Sequence, residues 1–222
     1  MVLKSDSIEL ARSEKQYVSR GGIKLAHALS TFHVSPTQMA CVDVGASTGG
    51  FTDCLLQAGA ASVTTIDVGY GLLHEHLVKD SRVNKNERLS IRDAQNFLDK
   101  EKFQLLVADL SFISLTTVLS DLVNLCVTGA PMILLVKPQF ESSREEADRG
   151  NGVIRDPRIW IRTLQEVAAQ AEKEAAPIQG VAISPISGAR GNREFFFYLR
   201  KGAEEKFVDI PAVISNVKGV SE

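Results

Sequence analysis

Cysteine is scarce in this chain, and no stretch of it is both long and apolar. Cys41, Cys54 and Cys126 are too far apart in the 222 residues for a zinc or redox motif, and three is an odd count for a disulfide framework. They read as small hydrophobes in a reducing compartment. No apolar run approaches the roughly 20 residues that span a bilayer. The leading stretch MVLKSDSIELARSEK lacks the apolar centre of a signal peptide. A soluble, cytoplasmic protein with no membrane partner is the expectation. Net charge is nearly absent too: 25 basic residues face 27 acidic ones, leaving -2. That balance does not announce a nucleic-acid binder, although it leaves room for a local basic patch. There is no internal repeat and no low-complexity tract. His74 and His76 form an isolated H-x-H that reads as solvated, and no persuasive set of metal ligands accompanies it.

What is present is an apolar fraction of 44% in a length that suits one α/β domain. Residues 1–18 are polar and read as an arm or linker, 19–202 as the folded domain and 203–222 as a tail. A short helix is expected from Gly22 to Phe32. Apolar runs suited to strands follow at ACVDV, SVTTIDV, FQLLVADL, PMILLV, IQGVAISPI and EFFFYL. Helical stretches fall near 49–58, 113–126 and 156–174, the last with Asp156 as N-cap and Pro157 at the first helical position. This alternation predicts a doubly wound, mostly parallel sheet, its last two strands forming an antiparallel edge pair. The charged, glycine-dotted ESSREEADRGNGVIRD reads as a mobile flap beside the site.

The segment VDVGASTGGFTD joins the first strand to a helix. Ser47 stands where a dinucleotide fingerprint needs its second glycine, so a pyrophosphate cradle fits poorly. Asp43 precedes the turn, where a carboxylate would repel phosphate and attract an ammonium. Asp67 ends the second strand, where folds of this type meet ribose hydroxyls. A nucleoside with a cationic, amino-acid-like tail suits both acids, and S-adenosylmethionine is such a molecule. A plain strand–turn–helix junction with incidental acids would look the same.

Ligands of open α/β sheets sit beyond the carboxyl ends of the strands. Asp109 follows LLVA, and Lys137 follows ILLV, a run read as buried on both faces. Lys24 lies on the short first helix, and Glu194 opens the last strand. Each has a bland reading, such as a lysine snorkelling to solvent. Two charges flanking the crevice of the glycine loop argue against coincidence.

Taken together, YVSRGGIKL, DVGASTGGFTD, DVGYGLL, DLSFISL, VKPQFE and GNREFFFYL resemble the TlyA family, once labelled haemolysin-like. These are ribosomal RNA 2′-O-methyltransferases related to FtsJ-like enzymes, and the resemblance runs from Tyr17 to Leu199. It implies a Rossmann-like fold for S-adenosyl-L-methionine-dependent methyl transfer, with a mostly parallel seven-stranded sheet and helices on both faces. It also implies a Lys-Asp-Lys-Glu tetrad at Lys24, Asp109, Lys137 and Glu194. Asp43, Gly45, Ser47 and Gly49 would surround the methionine part, Asp67 the ribose and Asp93 the adenine. The implied partner is ribosomal RNA or a ribosomal subunit; the oligomeric state is left open. Family members open with a small RNA-binding domain, and SIELARSEKQYVSRGG resembles its last strand and linker. The chain is therefore expected to be a truncated form or a protein that lacks the module.

The chemistry explains a lysine at the rim of an apolar core. A ribose 2′-hydroxyl must lose its proton as it attacks a methyl carbon, and a lysine takes that proton only from its neutral form. Lys137 is thus the expected base, Asp109 orients it, and Lys24 with Glu194 positions the ribose. Arg20, Lys24, Arg190 and Arg193 offer a local basic rim for phosphates. The competing readings are a membrane-active haemolysin without catalysis, a nucleotide-dependent oxidoreductase, and a donor-binding scaffold. Against them stand the absence of a cationic amphipathic segment, Ser47 in the glycine loop, and the complete tetrad.

Overall fold

The structure is a computed structural model that describes residues 17–99 and 102–217. The expected N-terminal arm lies almost wholly outside them, at residues 1–16. The chain begins with α1 (Arg20–Thr31), capped by the Ser19 hydroxyl, and proceeds through β1 (Ala40–Val44), α2 (Gly50–Gln57) and β2 (Ser62–Asp67). Next come α3 (Glu75–Val78), β3 (Val83–Glu87), α4 (Ile91–Ala94) and β4 (Leu105–Ala108). After a 3-10 turn at Leu115–Thr117 follow α5 (Leu119–Leu125), β5 (Pro131–Val136), α6 (Pro138–Glu141) and α7 (Arg144–Arg149). The long α8 (Pro157–Lys173), β6 (Ile178–Ile183), β7 (Phe195–Arg200) and α9 (Ile210–Ser215) complete it.

The seven strands form one sheet in the order β3-β2-β1-β4-β5-β7-β6. The first five pair in parallel, while β7 runs antiparallel to both neighbours and inserts between β5 and β6. The expected doubly wound sheet is thus observed. Central strands are buried on both faces, which is why they read as unbroken apolar runs rather than alternating ones. On β5, Ile133 and Leu135 pack with Leu25 of α1 and Leu55 of α2, whereas Met132, Leu134 and Val136 join Trp160 and Leu164 of α8. The pleat sends successive side chains to opposite layers. Phe195, Phe196 and Phe197 follow the same alternation and are fully buried, each contributing about 1.5–3 kcal/mol of apolar transfer.

Six apolar runs marked strands, and the seventh strand of the expected sheet lies outside them. The strand β3, VNKNE, is an edge element with one apolar residue and had no hydrophobic run to mark it. The segment after β5, expected as a mobile flap, carries short helices of its own. Ser143 and Glu146 close a capping box at α7, and Arg162 Nη2 on α8 sits 2.6 Å from Glu146 Oε2. Asn192 then ties the far end, donating to Gly152 O at 2.8 Å and accepting from Ile154 N at 3.0 Å. The α8 start is as expected: the Asp156 carboxylate accepts from Arg158 N at 2.9 Å, with Pro157 next to it. Downstream of β7, Ile210, Ile214 and Val217 pack into the core beside α8.

Candidate active site

Strand order reverses between β1 and β4, so their carboxyl ends diverge into a crevice. Gly45 makes that geometry feasible. Its φ is +84°, and a Cβ there would come within 2.6 Å of Asp109 O. A side chain at this point would push β1 and β4 apart. The crevice opens into a cavity of about 360 Å³ lined by Lys24, Gly45, Ser47, Asp109, Lys137 and Glu194, among others.

All four expected strand-end and helix charges therefore face one space. They are already paired two by two. Lys137 Nζ lies 2.6 Å from Asp109 Oδ1 and 2.9 Å from Ser111 Oγ. Lys24 Nζ lies 2.5 Å from Glu194 Oε2, across 170 residues of sequence. The Glu194 side chain is 3% exposed and that of Lys24 is 12%, so neither charge is diluted by bulk water. Gly188, in the SGARGN loop, makes room for the Glu194 carboxylate, because a Cβ there would overlap Oε1.

The donor-side residues take up different places. Ser47 has a φ of +49°, the left-handed backbone a fingerprint glycine would have, and its N–H donates to Asp67 Oδ2 at 2.7 Å. Asp67 Oδ1 accepts from Gly69 N at 2.7 Å. Asp67 therefore stitches the glycine loop to the turn after β2. Gly49 is the N-cap of α2, facing Leu73 and Leu77. Asp43 is fully buried beneath the loop, outside the cavity lining; Oδ2 accepts from Thr52 Oγ1 at 2.6 Å, and Oδ1 has no hydrogen-bond partner. Burial pushes its carboxyl up to about 7, the Thr52 hydroxyl opposes this, and Asp109 and Asp67 add to it. Asp93 is exposed on α4 and, like Asp43 and Gly49, lines neither this cavity nor the small one beside Asp67.

Several lining residues escaped the reading of individual positions. Ser111, Phe112, Gln139 and Phe140 border the cavity, with the two phenyl rings 5.1 Å apart. Their signal was present in DLSFISL and VKPQFE, but only as flanks of Asp109 and Lys137. Of the proposed basic rim, Arg20 and Lys24 line the cavity; Arg190 instead donates to Asn151 O at 3.3 Å. His74 caps α3, accepting from His76 N at 3.3 Å. Among the described residues, no helix is long and apolar enough to cross a membrane.

A sheet in this order, with a glycine turn at its switch point, is the fold of S-adenosylmethionine-dependent methyltransferases. One from Mesorhizobium loti superposes with a TM-score of 0.58 at 13% identity, covering 79% of this chain and 96% of that one. Within that class the chain belongs to the FtsJ-like methyltransferase family, whose profile it matches over residues 17–201. It is 44% identical over 188 residues to the 16S/23S rRNA (cytidine-2'-O)-methyltransferase TlyA of Mycobacterium tuberculosis, covering 85% of this chain and 70% of that protein. A hemolysin-named protein from Lactococcus lactis superposes with a TM-score of 0.85 at 39% identity, covering 91% of this chain and 98% of its own.

Proposed function

We propose that this protein is an S-adenosyl-L-methionine-dependent enzyme that methylates a ribose 2′-hydroxyl of ribosomal RNA. The observation that carries the reading is the convergence of the Lys137–Asp109 and Lys24–Glu194 pairs on one cavity beside the glycine loop. The residues present fit the donor. Asp67 retains acceptor capacity for ribose hydroxyls beyond its two backbone bonds, and the unpartnered Asp43 Oδ1 leaves an open acceptor under the loop. Gly45 and Ser47 line the cavity without bulk, suited to the methionine part, while Gly49 shapes the turn from behind, against Leu73 and Leu77.

S-adenosylmethionine, when bound, supplies an electrophilic methyl on sulfonium sulfur. The protein's own work is at the acceptor. Lys137 Nζ is the group placed to take the 2′-hydroxyl proton as that oxygen attacks. Asp109 and Ser111 fix the direction of Nζ. Lys24, oriented by Glu194, donates to the ribose and holds the hydroxyl in line. Ribosomal RNA is the partner through this ribose and through phosphates that Arg20 can meet.

The test is transfer of labelled methyl groups to ribosomal RNA transcripts and to isolated ribosomal subunits, followed by mapping of ribose methylation. Transfer to a base, or no transfer to any of these, would sink the reading. The hemolysin name of the Lactococcus lactis relative motivates a parallel assay: release of dye from liposomes would favour the membrane-active alternative.

A further inference from the structure

The loop after β4 is conformationally demanding. Phe112 stands in the left-handed region with a φ of +64°, although the residue is 91% exposed, its ring standing beside that of Phe140. Such a backbone persists when its surroundings over-determine it. On one side the anchor is Lys137, which donates to Ser111 Oγ at 2.9 Å. On the other side it is Glu141, the last residue of α6. Glu141 Oε2 accepts from Ser114 Oγ at 2.5 Å, and Oε1 accepts from Leu115 N at 2.9 Å. Burial raises the Glu141 carboxyl above its usual range, while these hydrogen bonds draw it back.

Glu141 does not line the cavity. It follows Lys137 by one helical turn, so its side chain binds the loop that carries Asp109 and Ser111 to the loop that carries Lys137. We propose that Glu141 is a positioning residue that holds these two loops in register, setting the direction of the Lys137 amine. This rests on the proposed methyl transfer. It assigns Glu141 no contact with RNA or donor; its effect reaches the reacting atoms through Ser114, the strained turn at Phe112, and Ser111.

The test compares Glu141→Ala, Glu141→Gln and Ser114→Ala with the unmutated protein. Glu141→Ala should lower kcat about tenfold or more with the RNA KM within about threefold, the signature of misplacement rather than lost binding. Donor affinity by calorimetry should stay unchanged, and amide exchange over residues 110–115 should quicken. Glu141→Gln should recover most of kcat, because an amide oxygen still accepts from Leu115 N and an amide N–H can meet Ser114 Oγ. Ser114→Ala should fall between, and it carries the test with Glu141→Gln if Glu141→Ala does not fold. A kcat near the unmutated value in Glu141→Ala or Ser114→Ala overturns the inference. So does a Glu141→Gln variant as impaired as the alanine one, or a loss that follows donor affinity. An unmutated protein inactive on ribosomal RNA would instead sink the methyl-transfer reading itself.

Discussion

Gly188 and Glu194 are packed so closely that any side chain at position 188 would occupy the space of Glu194 Oε1. Glu194 reaches Lys24 at 2.5 Å from this position, so a loop glycine sets the geometry of one of the two ion pairs.

Gly188→Ala should therefore impair catalysis from outside the tetrad. The carboxylate must swing off Lys24, and methyl transfer should fall about tenfold or more while donor affinity holds. Methylation rates and calorimetry on the same preparation decide this. A fully active variant would mean that the Lys24–Glu194 contact is dispensable.

Lys137→Ala should abolish methyl transfer and leave donor affinity within about threefold, because Lys137 sits beside the glycine loop and not within it. Lys137→Arg should be equally inactive: a guanidinium can still face Asp109 but does not release its proton near neutral pH. Activity in either variant would remove Lys137 from the role of base.

Asp67→Ala should weaken donor binding by about 1–3 kcal/mol, the usual cost of leaving polar partners unpaired. Part of that loss is internal, since the Ser47 and Gly69 N–H groups lose their acceptor. Asp67→Asn, which keeps an acceptor for one of them, should lose less. Calorimetry giving equal affinities for all three proteins would show that the ribose is held elsewhere.

Asp43 predicts a pH dependence of stability. Its folded-state value of about 7 lies above the ordinary 3.8, so the folded protein holds the proton more tightly than the unfolded chain does. Stability is thus lost as pH rises between these values, and the cost, about 4 kcal/mol at most, is fully present above them. Asp43→Asn keeps an acceptor for the Thr52 hydroxyl and removes that cost. Its melting temperature should exceed the unmutated one by several degrees at pH 8, with the advantage shrinking at pH 4.5. Thermal melts at the two pH values check this; a constant difference would contradict the assignment.

Much of the fold was legible in the sequence because a buried strand announces itself by continuous apolar residues and a helix start by its cap. The runs of β1, β2, β4 and β5, the Asp156 cap and the glycine loop all lie in local patterns of this kind. So did the four charges of the tetrad, each placed at a strand end or on the helix before the first strand. What local pattern does not encode is partnership. The edge strand β3 pairs through backbone groups and has no apolar run to mark it. The insertion of β7 between β5 and β6 is a matter of which strands pair, and no run of residues encodes it. Asp43 and Asp93 look alike as acids near a presumed donor site, yet one is sealed beneath α2 and the other faces solvent. The contact of Lys24 with Glu194, and the bonds from Glu141 to Ser114 and Leu115, join segments far apart in sequence. They arise from strand order and register, and those are set by packing of the whole sheet against its two helical layers.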